Sequence, residues 1–94
     1  MATLFILHGH WETTDERGVT IVTASFSENE VMRMLSDIVE NKAMNYCKLE
    51  GESVTEDYGA TMYERVDMDN HGFVGFYITS HDVVIPKTIK DKVY

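Results

Sequence analysis

Cysteine, proline and positive charge are all scarce in this chain. Cys47 is the single cysteine, which excludes an intrachain disulfide framework and a zinc site built on cysteines, so a reducing compartment is the expectation. Pro86 is the single proline, expected to end regular strand pairing where it stands because it has no amide to donate. No apolar run approaches the roughly 18 residues of a membrane span. The first residues, MATLFILHGHWE, lack a basic segment and meet charge early, unlike a secretory signal, so a cytoplasmic protein without membrane contact is expected.

Eight basic residues stand against sixteen acidic ones, for a net charge of −8 over 94 residues. Three of the eight, Lys87, Lys90 and Lys92, crowd the last stretch of chain, so residues 1–86 are more acidic still. Direct binding of nucleic acid, which needs clustered lysine and arginine, is therefore excluded as the expected function. A basic protein surface suits this charge, including one built to hold nucleic acid.

The most legible stretch is SENEVMRMLSDIVENKA, residues 27–43. Val31, Met34, Leu35, Ile38 and Val39 recur at helical spacing and form one apolar stripe, while Glu30, Arg33, Asp37 and Asn41 fill the other face. Ser27 is placed to cap the first amides, with Glu30 reaching back to the Ser27 amide in a capping box. Such a helix needs a surface on which to bury its stripe.

Thr3 to Trp11 and Val19 to Phe26 are rich in β-favouring residues and read as a hairpin across TTDERG, with a tight turn at Arg17-Gly18. This register puts Phe5, Leu7 and Trp11 on one face with Val22, Ala24 and Phe26. His8, His10, Thr23 and Ser25 then lie opposite, together with the apolar Leu4, Ile6 and Ile21. Ala60 to Met68 and Phe73 to Thr79 read as a second hairpin, with Met68 opposite Val74, Val66 opposite Phe76, Glu64 opposite Ile78, and Gly72 left-handed in a bulge. Residues 45–59, carrying Glu50, Glu52, Glu56 and Asp57, read as an acidic loop. The order strand, strand, helix, loop, strand, strand implies one α+β domain over residues 1–86, an antiparallel sheet with the helix across one face, followed by a lysine-bearing tail at 87–94.

Catalytic and metal motifs mostly fail on inspection. Asp67, Asp69 and Gly72 match a calcium loop at its first, third and sixth positions, but His71 and Ile78 occupy the fifth and twelfth, so a hairpin turn is the better reading. His8 and His10 project from one face of a strand with Glu12 beyond them, a ligand set suited to zinc or iron, although nothing in the spacing compels a metal. His81 and Asp82 are strand neighbours and point to opposite faces. No phosphate loop, nucleophile elbow or zinc-protease helix occurs, and no cofactor is expected.

The expectation is a small, acidic, non-enzymatic protein-binding module. Glu50, Glu52, Glu56, Asp57, Tyr58, Asp67 and Asp69 are its candidate contacts with a basic partner, Tyr58 adding a large amphipathic side chain. Its sharpest form is competition, with carboxylates standing in for phosphate on a host nucleic-acid-binding protein; small phage inhibitors of defence nucleases share these gross properties. The alternatives are a homo-oligomer holding a small ligand between subunits, hinted at by Leu4, Ile6 and Ile21, and a metal-binding protein using His8 and His10.

Overall fold

The computed structural model of the chain describes residues 2–41, 53–69 and 71–84. Five strands and one helix follow in the order β1 (Ala2–Glu12), β2 (Arg17–Ser25), α1 (Glu28–Glu40), β3 (Val54–Gly59), β4 (Met62–Asp67) and β5 (Gly72–Val83). All neighbouring strands are antiparallel, in the spatial order β2-β1-β5-β4-β3. The helix lies across one face, so the expected α+β architecture is present.

Helix α1 forms for the reasons its sequence suggests. Val31, Leu35 and Ile38 are fully buried, and Met34 and Val39 pack at the margin of the same cluster. Burying each such aliphatic side chain contributes about 1.5–3 kcal/mol, which is what ties an otherwise marginal helix to the sheet. The Ser27 hydroxyl accepts from the Glu30 amide at 3.4 Å, as the cap requires. The return arm differs from the expected box: the Glu30 carboxylate accepts from the Ser25 hydroxyl at 2.8 Å, and Ser25 Oγ accepts from the Ser27 amide at 3.0 Å. Ser25 closes the box because the chain turns sharply between β2 and α1.

The helix rests mainly on β2 and β1 and reaches β4 and β5. Beneath it, Leu7, Val74, Phe76 and Tyr63 complete the buried core, bordered by Phe5, Trp11, Val22 and Ile78. Cross-strand pairing puts these residues on one face, with Leu7 opposite Ile78, Trp11 opposite Val74 and Tyr63 opposite Phe76.

The first hairpin is longer than the tight turn at Arg17-Gly18 implies. Glu12 pairs with Arg17, and Thr13 to Glu16 form the loop, with the Thr13 amide donating to the Glu16 carbonyl at 2.8 Å and Thr13 Oγ1 accepting from the Glu16 amide at 3.1 Å. Gly18 is thus a strand residue facing Trp11. A bulge then slips the register: Leu7 pairs with Thr23 but His8 with Ile21, leaving Val22 as the extra residue that joins the core. Beyond the bulge Ala24 pairs with Ile6 on the far face, and Phe26 is exposed. Neither therefore joins the core face.

Two expectations for the second half are corrected. Val54–Gly59 is a strand, because β3 pairs with β4 across the Ala60-Thr61 turn and sets Glu56 opposite Arg65 and Tyr58 opposite Tyr63. Those two pairs make an ion pair at 3.3 Å and an edge-to-face ring contact at 6.3 Å, the kind of cross-strand contact that stabilises a sheet. The β4–β5 register is also shifted: Val66 pairs with Phe73 and Glu64 with Gly75. Asp67, paired with Gly72, braces the turn that this register leaves, its carboxylate accepting from the Asp69 amide at 3.1 Å. His71, at φ 54°, takes the left-handed position expected of Gly72.

Candidate functional site

The acidic candidates separate once placed on the strands. Asp67 is buried, 1% exposed, and its carboxylate braces a turn, so it is not a surface contact. Asp69 is exposed but its Oδ2 accepts from the Ser53 amide at 3.0 Å, tying the β4–β5 turn to the start of β3. Glu56 lies against Arg65, an ion pair at the sheet margin. Glu50 and Glu52 lie outside the described residues, as do Tyr46 and Cys47.

Asp57 and Tyr58 remain as exposed candidates on β3, the outermost strand on this side of the sheet. Alternation along the strand sends Glu56 and Tyr58 to the helix side and Asp57 to the other. Tyr58 is 53% exposed. Asp57 stands directly opposite Glu64 of β4 on the same face. Two carboxylates in directly opposed positions repel, costing about 0.2–1 kcal/mol relative to a neutral pair. Glu64 is therefore a member of the acidic patch that the sequence reading did not include. Its signal was available only through the β3–β4 register, which an assumed loop conceals.

Beside this edge, Tyr63 is buried beneath Tyr58. Burial first, and the Glu56 carboxylate second, raise the Tyr63 pKa above that of ordinary tyrosine, with the Arg65 guanidinium opposing them. The hydroxyl is held neutral in the fold.

The face of the sheet away from α1 carries the histidines. His8 and His10 share it, as alternation requires, but their rings do not converge on a common point. His8 stacks on Tyr77 with centroids 4.9 Å apart, and His10 stacks on Phe73 at 4.9 Å and meets the Tyr77 edge at 5.9 Å. The Nε2 atoms of His8 and His81 meet at a shared hydroxyl, each lying 2.8 Å from Thr79 Oγ1. This bridge depends on β1 pairing with β5, a contact between distant parts of the chain. Glu12 sits near Arg17 at 3.9 Å, with both side chains exposed. Among the described residues no three histidine, cysteine or carboxylate side chains come together as a metal site. His81 and Asp82 point to opposite faces, Asp82 accepting from Thr3 at 3.3 Å.

An open hollow of about 380 Å³ lies at the turn end of the first hairpin, lined by His10, Trp11, Glu12, Arg17, Gly18 and Val19. Its lining is mainly apolar and its two charged groups face one another. Among the described residues no helix is long and apolar enough to cross a membrane.

Compared with known proteins, no family model matches the chain, and no curated protein or solved structure matches it significantly.

Proposed function

We propose that this protein is a non-enzymatic binding module that engages a basic protein surface along the β3 edge. The observation that carries the proposal is the Asp57–Glu64 pair, two carboxylates held opposite each other on one face of an outer hairpin. Strand pairing keeps them together at a cost to the fold, and a partner lysine or arginine placed between them relieves that repulsion. Glu56 and the exposed ring of Tyr58 flank the pair from the other face of the same strand. Among the described residues no strand pairs with the outer edge of β3, and its amides and carbonyls there suit an added strand, the recognition mode in which side-chain charge selects the sequence and the main chain supplies affinity.

A partner surface shaped for nucleic acid fits this chemistry, because it already places cations at phosphate spacing. On that reading the module competes with nucleic acid for its partner. Asp67 takes no part, and Asp69 contributes charge from the adjacent turn.

The test uses the double variant Asp57→Asn, Glu64→Gln, which removes both charges with little change in shape. Immobilised wild-type and variant chains are exposed to nuclease-treated bacterial lysate at low salt and eluted with rising salt. A protein retained by the wild type, released by salt, and held two- to about thirty-fold more weakly by the variant is expected, since exposed charge contacts contribute about 0.2–1 kcal/mol each. Equal retention by the two chains contradicts the proposal.

A further inference from the structure

We propose that His8 and His81 form a two-imidazole site for a divalent metal ion of the zinc and copper class, on the face of the sheet away from α1. The site uses none of the residues of the β3 edge, so it stands or falls apart from the binding role given to that edge.

The two histidines come from strands that only the fold brings together. β1 and β5 pair with His8 opposite Tyr77, Ile6 opposite Thr79 and Leu4 opposite His81, so these six side chains share one face. Thr79 stands between the histidines, and both Nε2 atoms reach its Oγ1 at 2.8 Å. The two nitrogens are therefore separated by at most twice that distance. An ion bound to both at the usual zinc–nitrogen length of about 2.0–2.1 Å needs them within about 4.2 Å of each other, a closure that small rotations of the rings supply. The His8 ring is already oriented, lying on the Tyr77 ring at 4.9 Å and 14°. His81 is exposed and makes the larger part of the movement.

A threonine hydroxyl carries one proton, so it donates to one Nε2 and accepts from the other, whose proton then sits on Nε2. The first nitrogen already turns its lone pair toward the shared point. The second does so once its proton moves to Nδ1, a change of tautomer with no change of charge. Hydrogen bonding to Thr79 holds the rings in place without an ion, and what it leaves is a pair of nitrogen donors assembled in advance on paired strands. Imidazole pairs are ligands that zinc and copper accept readily, whereas magnesium and calcium require oxygen. His10 does not join them, its ring being stacked on Phe73 and set against the Tyr77 edge. Among the described residues no third histidine, cysteine or carboxylate completes the set, so water fills the remaining positions and the ion is exchangeable rather than structural. The side chains paired across from the site, Leu4, Ile6 and Tyr77, carry no positive charge to oppose a cation, and the net charge of −8 draws cations to the chain.

The test is calorimetric titration of the full, untagged, metal-free chain with Zn²⁺, in excess Mg²⁺ to occupy surface carboxylates. One zinc ion per chain is expected. His8→Ala and His81→Ala each weaken its binding by at least about tenfold, the smallest loss usual even for a residue that only supports a metal ligand. His10→Ala, His71→Ala and Cys47→Ser leave it unchanged. Thr79→Val removes the hydroxyl but neither ligand and retains the ion, which separates a metal site from a bridge of hydrogen bonds. Because His8→Ala also removes the stack on Tyr77, the ligands are read a second time on the unaltered chain by NMR. Zinc shifts the imidazole nitrogen resonances of His8 and His81 and leaves those of His10 in place. A chain that takes up no zinc overturns the inference, as does uptake that depends on His10, His71 or Cys47 and is indifferent to His8 and His81.

Discussion

Replacing Gly18 by alanine tests the packing of the first hairpin with a built-in reporter. Trp11, the single tryptophan, lies over Gly18 so closely that an added Cβ would stand 2.1 Å from Cζ2, 2.5 Å from Cε2 and 2.6 Å from Cη2. No real Cβ tolerates such contacts, so the indole must swing away from the strand and lose its place at the edge of the core. Overpacking of this kind costs about 1–3 kcal/mol. Alanine recovers about 0.5–1 kcal/mol by being less flexible than glycine in the unfolded chain. The backbone there has negative φ, so alanine meets no conformational strain. The net loss is roughly 0.5–2 kcal/mol, or about 4–8 °C in Tm for each kcal/mol in a domain of this size. Urea unfolding followed by tryptophan emission reads both effects, and the native-state emission shifts to longer wavelength as the indole meets water. Gly59→Ala is the control, because its Cβ meets only Met62 Cγ at 3.5 Å, and it leaves stability unchanged or slightly higher. A Gly18→Ala protein as stable as the wild type, with unshifted emission, refutes the packing of Trp11 over Gly18.

Other outcomes follow from the core and its caps. Leu35→Ala, at the centre of the buried helix stripe, is expected to cost about 2–5 kcal/mol by chemical denaturation. Ser27→Ala removes the acceptor for the Glu30 amide and costs about 1 kcal/mol, and Ser25→Ala also destabilises, since Ser25 closes the box from the strand side. The raised pKa of Tyr63 means that the folded chain holds that proton more tightly than the unfolded one. The associated stability is complete below the ordinary tyrosine pKa of about 10 and is lost as pH rises through the folded value. Denaturation midpoints measured on either side of that pH fall for the wild type, and Tyr63→Phe flattens the decline.

Helix α1 was legible because a stripe of Val31, Leu35 and Ile38 and a serine cap are local patterns that burial then fulfils. The class of fold followed from it, since one such helix between β-rich segments needs a sheet. Strand β3 was not legible: Val54–Gly59 holds four exposed residues in succession, and what makes it a strand is the pairing of Glu56 with Arg65 and Tyr58 with Tyr63. The bulge at Val22 and the four-residue turns after Glu12 and Asp67 likewise shifted registers that apolar matching alone had set differently. The union of β1 with β5 joins distant segments, so the His8–Thr79–His81 bridge had no local signal. Of the candidate contacts, Asp57 could be read as exposed from its acidic stretch, whereas the exposure of Tyr58, the inward role of Asp67 and the inclusion of Glu64 all required the register.

Binding through the β3 edge is tested most directly by pairing two readouts on the Asp57→Asn, Glu64→Gln chain. Removing opposed like charges is expected to raise unfolding stability by about 0.2–1 kcal/mol while weakening retention of the basic partner and flattening its salt dependence between about 50 and 500 mM. A chain that is stabilised but binds its partner as tightly as the wild type, with the same response to salt, contradicts the account and leaves the acidic pair without a role in recognition.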